Sequence, residues 1–202
     1  IKIRMKKVLF IDRDGTILKE PADKQVDSLE KLAFMPGVIG ALSAISRETD
    51  FELVMVTNQD GLGTPAFTEE EFLAPHNKML SILEGEGIKF AEQFIDRSFE
   101  EDNSPYRKPG TAMLTQYLAQ GIDLGASFVI GDRLTDIELA RNLGCRAIFV
   151  SSEKNGDAAL CTRDWDEIRR FLKKIPRSAF IKRKTNETSI EIGLTIDGTG
   201  SS

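Results

Sequence analysis

Cysteine, histidine and long hydrophobic runs are all scarce in this sequence. The two cysteines, Cys145 and Cys161, do not form a Cys-x-x-Cys pair, so no disulfide framework is expected and a reducing compartment fits. No apolar run approaches the roughly 18 residues of a membrane span, and the N-terminal residues lack the hydrophobic stretch of a signal peptide. These absences predict a cytoplasmic protein that does not associate with membranes.

Positive charge is also too sparse to indicate a nucleic-acid-binding surface. The chain has 27 Lys and Arg against 32 Asp and Glu, a net charge of −5. A dedicated nucleic-acid binder usually carries a basic face, so nucleic acid is not an expected partner. The apolar share of 41% and the charged share of 29% are ordinary for a globular protein. Its 202 residues suffice for one domain with a sizeable core and some excess.

Short apolar runs alternate with helical patterns along most of the chain. The runs that predict strands are residues 8–11, 53–56, 128–130 and 147–150, with a weaker one at 93–95. The patterns that predict helices are residues 37–46, 68–83, 109–118, 134–143 and 164–173. This alternation predicts an α/β fold with a Rossmann-like, mostly parallel sheet and helices on both faces. Ligands in such sheets bind at the carboxyl ends of the strands.

The α/β pattern ends near Ile175. An alternating apolar pattern then runs from Phe180 to Ile196 and ends in a Gly- and Ser-rich segment. We therefore expect one domain over residues 5–175, followed at residues 176–202 by a linker and one or two β segments without a partner.

Two aspartates follow the first predicted strand. Asp12 and Asp14 are two residues apart, which directs both side chains to one side of an extended chain. Gly15 permits a sharp turn after them. An isolated Asp-x-Asp pair also occurs where carboxylates cap a surface loop, so this motif alone leaves both interpretations open.

Three later segments add polar groups. The second strand ends in Thr57 and Asn58, whose hydroxyl and amide suit phosphate oxygens, although an ordinary turn has the same composition. Lys108 precedes a predicted helix and would neutralise phosphate or carboxylate charge there, whereas most lysines are solvated. Asp132 and Asp136 are four residues apart where the fourth strand meets a helix, a position where aspartates also serve as N-caps.

Taken in order, these segments resemble the motifs of the haloacid dehalogenase-like phosphohydrolases. That family has a hydrophobic strand ending in Asp-x-Asp-Gly-Thr, a strand ending in Thr or Ser, a Lys, and Gly-Asp-x-x-x-Asp. All four occur in order over residues 7–150. The resemblance implies that Asp12 is the nucleophile, that Asp14 is general acid and then base, and that Lys108 is a catalytic cation.

The same resemblance implies a cofactor and a phosphate site. Mg²⁺ would be held by Asp12, the backbone carbonyl of Asp14, and Asp132. Asp136 would orient these ligands without binding the metal itself. Thr57 and Asn58 would bind the phosphoryl group, and Arg107 and Arg13 are candidates for contacts with the substrate. The spacers between the motifs are too short for a large cap domain, so an open site that accepts a small phosphoester is expected.

Longer segments narrow the resemblance. Phe10-Ile-Asp-Arg-Asp-Gly-Thr16, Thr57-Asn-Gln-Asp-Gly-Leu-Gly-Thr64 and Arg107-Lys-Pro109 are similar to the histidinol-phosphatase domain of bifunctional histidine-biosynthesis enzymes. Residues 183–190 and 194–200 are similar to the first strands of imidazoleglycerol-phosphate dehydratase. The resemblance implies that residues 176–202 are a linker and the truncated start of a C-terminal dehydratase domain, whose own metal site cannot form with His76 as the sole histidine.

One motif of the relatives is missing. Many of them carry Cys and His ligands for a structural zinc ion just before Arg-Lys-Pro, whereas the equivalent positions here are Asp96, Ser98, Ser104 and Tyr106. Because these side chains are not thiolates or imidazoles, structural zinc is not expected. The loop over residues 96–106 must then be held by other contacts or be mobile.

The leading hypothesis is Mg²⁺-dependent hydrolysis of L-histidinol phosphate through an aspartyl-phosphate. Heptose-bisphosphate phosphatases share Asp-Arg-Asp-Gly and Thr-Asn-Gln but usually diverge after the Gln, so another small phosphomonoesterase is the first alternative. A nucleic-acid 3′-phosphate end-processing module and a non-catalytic interaction module are alternatives of other classes. His76 beside Pro75 is more often structural than catalytic.

Overall fold

A six-stranded parallel sheet forms the centre of the molecule. The computed structural model describes residues 5–118 and 121–175, and the backbone alone of residues 178–184 and 189–195. The strands are β1 (Lys7–Ile11), β2 (Phe51–Asn58), β3 (Glu92–Asp96), β4 (Phe128–Gly131), β5 (Arg146–Phe149) and β6 (Ala158–Cys161). Their order is β3-β2-β1-β4-β5-β6, and each neighbouring pair is parallel.

The strand order determines where the site lies. The chain builds β1, β2 and β3 in one direction and then returns to place β4 on the other side of β1. Ligands of doubly wound sheets bind at this reversal, outside the carboxyl ends of the strands. Asp12 follows β1 and Asp132 follows β4, so the two predicted metal ligands meet at the reversal.

The five predicted strands are confirmed, and β6 was missed. Its sequence, Ala-Ala-Leu-Cys, is short and poor in β-branched residues, and it pairs on one side only, with a register shift between Ala147 and Ile148. Such an edge strand carries little of the periodicity that indicates a buried strand.

In the described part of the chain, four α-helices cover the sheet, namely α1 (Val38–Glu48), α2 (Glu69–Gly85), α3 (Leu134–Leu143) and α4 (Trp165–Lys173). A capping box begins α2, because Thr68 and Glu71 each accept a hydrogen bond from the other's backbone N–H. Gly144 ends α3 in the left-handed conformation that glycine adopts without strain.

The helix predicted over residues 109–118 is wrong. Turns run through residues 104–110, and a short 3₁₀ segment, Ala112–Leu118, follows. The backbone N–H of Ala112 donates to the carbonyl of Pro105, and a Cβ on Gly110 would lie 2.2 Å from that oxygen. This close packing, which glycine permits, takes up the residues that would have formed the first helical turn.

The core has two halves because alternate strand residues face opposite sides of the sheet. Leu9 and Ile11 of β1 face the cluster built with α1, α2 and α4. Val8 and Phe10 face the cluster built with α3 and Ala112–Leu118. Helices on both faces are therefore confirmed. In the described part of the chain, the segment between β1 and β2 holds loops and α1, with no inserted cap domain.

A two-stranded antiparallel hairpin follows, formed by β7 (Ser178–Lys184) and β8 (Ser189–Thr195). The two β segments predicted from the alternating pattern therefore pair with each other, and the prediction that they lacked a partner is wrong. The other residues of the predicted linker and truncated domain start, namely 176–177, 185–188 and 196–202, lie outside the described residues. Among the residues that are described, no helix has both the length and the apolar character needed to cross a membrane.

Candidate active site

The first β-strand delivers Asp12 to the centre of the site. The backbone N–H of Asp12 donates to the carbonyl of Ile130 (2.9 Å), which extends the β1–β4 pairing one residue beyond the strand. Its carboxylate is buried, and Oδ1 accepts hydrogen bonds from the backbone N–H of Arg13 (2.7 Å) and the Lys108 ammonium (2.8 Å). The side chain is thus fixed at the carboxyl end of the sheet with a cation beside it.

The chain then turns sharply because of Gly15. Gly15 has φ +76°, and a Cβ there would lie 2.1 Å from Oδ2 of Asp132. The turn closes through hydrogen bonds from the N–H groups of Ile17 and Leu18 to the carbonyl of Arg13 (2.9 Å each). The glycine therefore lets the loop after β1 approach the carboxylate that follows β4.

Lys108 bridges two buried carboxylates. Its Nζ lies 2.8 Å from Asp12 Oδ1 and 2.7 Å from Asp136 Oδ1. Burial would lower the pKa of this ammonium, but the two carboxylates outweigh that effect and leave the pKa raised. Lys108 is therefore a fixed cation, and it is held in place by Asn58, whose side-chain amide bonds both the N–H (3.0 Å) and the carbonyl (3.3 Å) of Lys108.

Three carboxylates converge at this point. Asp12, Asp132 and Asp136 each offer an oxygen, and these oxygens lie within 4.8 Å of one another. Burial, reinforced by the other two carboxylates, raises the pKa of Asp132 to about 7. Burial also raises the pKa of Asp136 to about 6, against the lowering effect of Lys108. Three carboxylates therefore lie close together at a place where water solvates them poorly.

The chemistry of these groups fits a divalent cation with oxygen ligands. A cation placed between Asp12 and Asp132 would relieve the repulsion that raises the pKa of Asp132. Hard carboxylate oxygens are the ligands that Mg²⁺ prefers. Asp136 suits a supporting position, since one oxygen binds Lys108 and the other accepts the backbone N–H of Arg133 (3.1 Å).

Asp14 is held by Arg13, which was predicted to contact the substrate instead, and by Gln59, which was not predicted to belong to the site. Nη1 of Arg13 lies 3.0 Å from both carboxylate oxygens, and Nε2 of Gln59 lies 2.6 Å from Oδ2. Burial raises the pKa of Asp14 despite these donors. Arg13 is fully buried, and a substrate contact for it stays a prediction. Gln59 follows Thr57 by two residues on an extended segment, and that same-side spacing was the available signal.

Thr57 lies beside Asp14, and Arg107 lies further out. Thr57 is buried at the end of β2, and its hydroxyl accepts a hydrogen bond from Gln59 (2.8 Å). A cleft at this point is lined by Asp12, Asp14, Thr57, Asn58, Lys108, Arg133 and Thr135. The guanidinium of Arg107 pairs with Asp60 and donates to the carbonyl of Ser98 (2.8 Å), so it stabilises the neighbouring loop. A substrate contact for Arg107 stays a prediction.

The loop over residues 96–106 is held by polar contacts. Asp96 accepts hydrogen bonds from the backbone and hydroxyl of Ser98, and Asp102 accepts the N–H of Phe99 (2.8 Å). Together with the Arg107 contact, these bonds are the other contacts that were expected to hold the loop. Ser104 lines an open cleft next to Lys108, and Tyr106 is exposed.

His76 takes part in packing. Its ring stacks on Phe72 (centroids 4.7 Å apart), and its Nε2 lies 2.8 Å from Oε1 of Gln93. Burial lowers the pKa of the imidazole. These contacts support the structural interpretation of the single histidine.

Known proteins similar to this chain include hydrolases and histidine-biosynthesis proteins. The HAD-hydrolase-like family model matches residues 105–170. The "Histidine biosynthesis bifunctional protein HisB" of Bacteroides fragilis is 54% identical over 205 residues, which cover 96% of this chain and 55% of that protein. The protein of the same name from Spirosoma linguale is 50% identical over 214 residues, covering 97% and 56%. The chain thus spans about half the length of these curated relatives.

A solved structure has the same fold. The D,D-heptose 1,7-bisphosphate phosphatase from B. bronchiseptica, crystallised with magnesium and phosphate, superimposes with a TM-score of 0.72. The match covers 83% of this chain and 98% of that one at 24% sequence identity.

Proposed function

Because the chain belongs to the haloacid dehalogenase-like hydrolases, we propose that it hydrolyses L-histidinol phosphate to L-histidinol and phosphate in histidine biosynthesis. The observation that carries the substrate is the identity of up to 54% to HisB proteins along 96% of the chain. The arrangement of Asp12, Asp14 and Lys108 supports the class of reaction.

The first half of the reaction forms a bond between Asp12 and phosphorus. A carboxylate oxygen of Asp12 attacks, the bond from phosphorus to the substrate oxygen breaks, and Asp14 gives its proton to the departing alkoxide. Lys108 beside Asp12 offsets the repulsion between the carboxylate and the phosphate. We assign the binding of a phosphoryl oxygen to the Thr57 hydroxyl, because Thr57 lines the same cleft as Asp12 and Lys108.

The second half returns the enzyme to its starting state. Asp14, now ionised, takes a proton from water, and the water oxygen attacks phosphorus of the aspartyl-phosphate. The bond between phosphorus and Asp12 breaks, and inorganic phosphate leaves. Magnesium held by Asp12, the backbone carbonyl of Asp14, and Asp132 would supply charge neutralisation at the phosphoryl group.

We place this activity in a longer cytoplasmic enzyme. The aligned part makes up only 56% and 55% of the HisB relatives, which supports a further domain in the full-length protein, and we assign it as a C-terminal dehydratase domain. Cys145 and Cys161 are both free thiols, in keeping with a reducing compartment.

The test is release of inorganic phosphate from histidinol phosphate with and without Mg²⁺. D,D-heptose 1,7-bisphosphate is assayed in parallel because the B. bronchiseptica enzyme shares the fold. We expect a higher kcat/KM for histidinol phosphate and loss of activity in EDTA. A large preference for the heptose bisphosphate would show that the substrate assignment is incorrect.

A further inference from the structure

We infer that Gln59 is a positioning residue that ties the acid–base group Asp14 to the phosphoryl-binding hydroxyl of Thr57. The inference rests on the proposed phosphatase function. Gln59 is buried, and its Nε2 lies 2.6 Å from Asp14 Oδ2 and 2.8 Å from Thr57 Oγ1. An amide nitrogen carries two hydrogens, so it donates both bonds at once.

The sheet itself fixes Gln59. Its backbone N–H donates to the carbonyl of Asp96 (2.7 Å), which extends the β2–β3 pairing beyond the end of β2. Its own carbonyl accepts the N–H of Leu62 (3.1 Å). The side-chain amide therefore projects from ordered backbone, and a group held in this way loses little freedom when it binds Asp14.

At Asp14, this geometry selects which oxygen carries the transferable proton. Oδ2 accepts from Gln59 and from Nη1 of Arg13, whereas Oδ1 accepts from Arg13 alone. The donating N–H groups of Gln59 and Arg13 cannot accept a hydrogen bond, so a proton on Oδ2 would face two donors. The proton that protonated Asp14 transfers is therefore held on Oδ1.

At Thr57, the same amide orients the hydroxyl. Because Oγ1 already accepts from Gln59, its own hydrogen is free to point elsewhere. Thr57 lines the cleft that also contains Asp12 and Lys108, so that hydrogen is available to a phosphoryl oxygen. Gln59 thus fixes the position of Asp14, which donates the proton, relative to Thr57, whose hydroxyl donates a hydrogen bond to the phosphoryl group.

The test compares Gln59→Leu with wild type on phosphomonoesters whose leaving groups differ in basicity. An alkyl phosphate needs a proton on its departing oxygen, whereas p-nitrophenyl phosphate loses a weakly basic phenolate and needs little help. The quantity measured is kcat/KM, because it reports steps only up to transfer of the phosphoryl group to Asp12. We expect a loss of about 10²-fold for histidinol phosphate and less than about 10-fold for p-nitrophenyl phosphate.

Two further comparisons distinguish a positioning role of Gln59 from a nonspecific loss of activity. Asp14→Asn should show the same dependence on the leaving group, and adding Gln59→Leu to it should change that dependence little. Gln93→Leu removes an amide that bonds another buried side chain, His76, and should leave the dependence unchanged. Gln59→Met, which keeps the length without the donors, replaces Gln59→Leu if the latter does not fold.

The outcomes distinguish this inference from the proposed function. A wild-type protein that releases phosphate from none of the esters would contradict the proposed function. An active wild type whose Gln59 variants lose equal activity on all esters, or none, would overturn the positioning role of Gln59.

Discussion

Replacing Asp132 with Asn is expected to stabilise the metal-free protein while removing its magnesium site. The Asp132 carboxyl is partly buried and faces Asp12 and Asp136, and these effects raise its pKa to about 7. Without a cation, the folded protein must carry this unfavourable charge at alkaline pH. Asparagine has nearly the same shape and no charge, so the substitution removes the penalty and the metal ligand together.

The direction and size of the change in stability follow from the linkage between proton binding and folding. The folded protein holds a proton on Asp132 that the unfolded chain has already released, so stability falls as pH rises from about 4 to about 7 and stays low above that. A shift from 3.8 to about 7 at ~1.4 kcal/mol per unit corresponds to about 4 kcal/mol. Partial contact of the carboxyl with solvent reduces this, and we expect about 2–4 kcal/mol at pH 8.

Thermal unfolding in EDTA measures the effect. At ~2–4 °C per kcal/mol for a domain of this size, Asp132→Asn should unfold roughly 4–16 °C above wild type at pH 8. At pH 4 the difference should largely vanish. Mg²⁺ should raise the Tm of wild type and not that of the variant, and phosphatase activity should be lost. Asp157→Asn, at an exposed aspartate, is the matched control and should change neither Tm nor activity.

Two results would refute this reasoning. An Asp132→Asn protein that is no more stable than wild type in EDTA at pH 8 would mean that carboxylate crowding does not destabilise the fold. A stability difference that is equal at pH 4 and pH 8 would mean that the effect does not arise from the charge of Asp132.

Three more outcomes are expected from the same geometry. Asp12→Asn should abolish turnover while circular dichroism and Tm show an intact fold. Lys108→Met leaves the carboxylates of Asp12 and Asp136 buried without their cation, so it should lose activity and about 3–5 kcal/mol of unfolding free energy in urea titrations. Gly15→Ala, at φ +76° and 2.1 Å from the Asp132 carboxylate, should abolish the Mg²⁺-dependent rise in Tm.

Much of the fold was predictable because the four inner strands are apolar and end in distinctive turn residues. The edge strand β6 was not predictable, since its four residues lack a hydrophobic alternation. The wrong helix after Lys108 has a different cause. Pro109 favours a helix start locally, whereas the approach of Gly110 to Pro105 is a contact that no local propensity encodes.

The site likewise contains residues that the sequence predicted and contacts that it did not. Asp12, Asp132 and Lys108 were assigned from motifs, and the structure brings them together at the reversal of the sheet. The contacts of Arg13 and Gln59 with Asp14 were not predicted. Both residues lie inside recognised motifs, but the direction of each side chain depends on packing between the β1 loop, β2 and α2, which spacing along the chain does not reveal.

The central position of β1 also has a consequence for how the chain folds during synthesis. The ribosome makes both β2 and β3 before it makes β4, which begins only at residue 128. Until β4 is made, one edge of β1 has no neighbouring strand. All five residues of β1 are buried in the folded protein, so this open edge is a template for pairing with another chain. We therefore expect nascent chains that stop before residue 128 to aggregate, and the metal site to form only when β4 closes that edge.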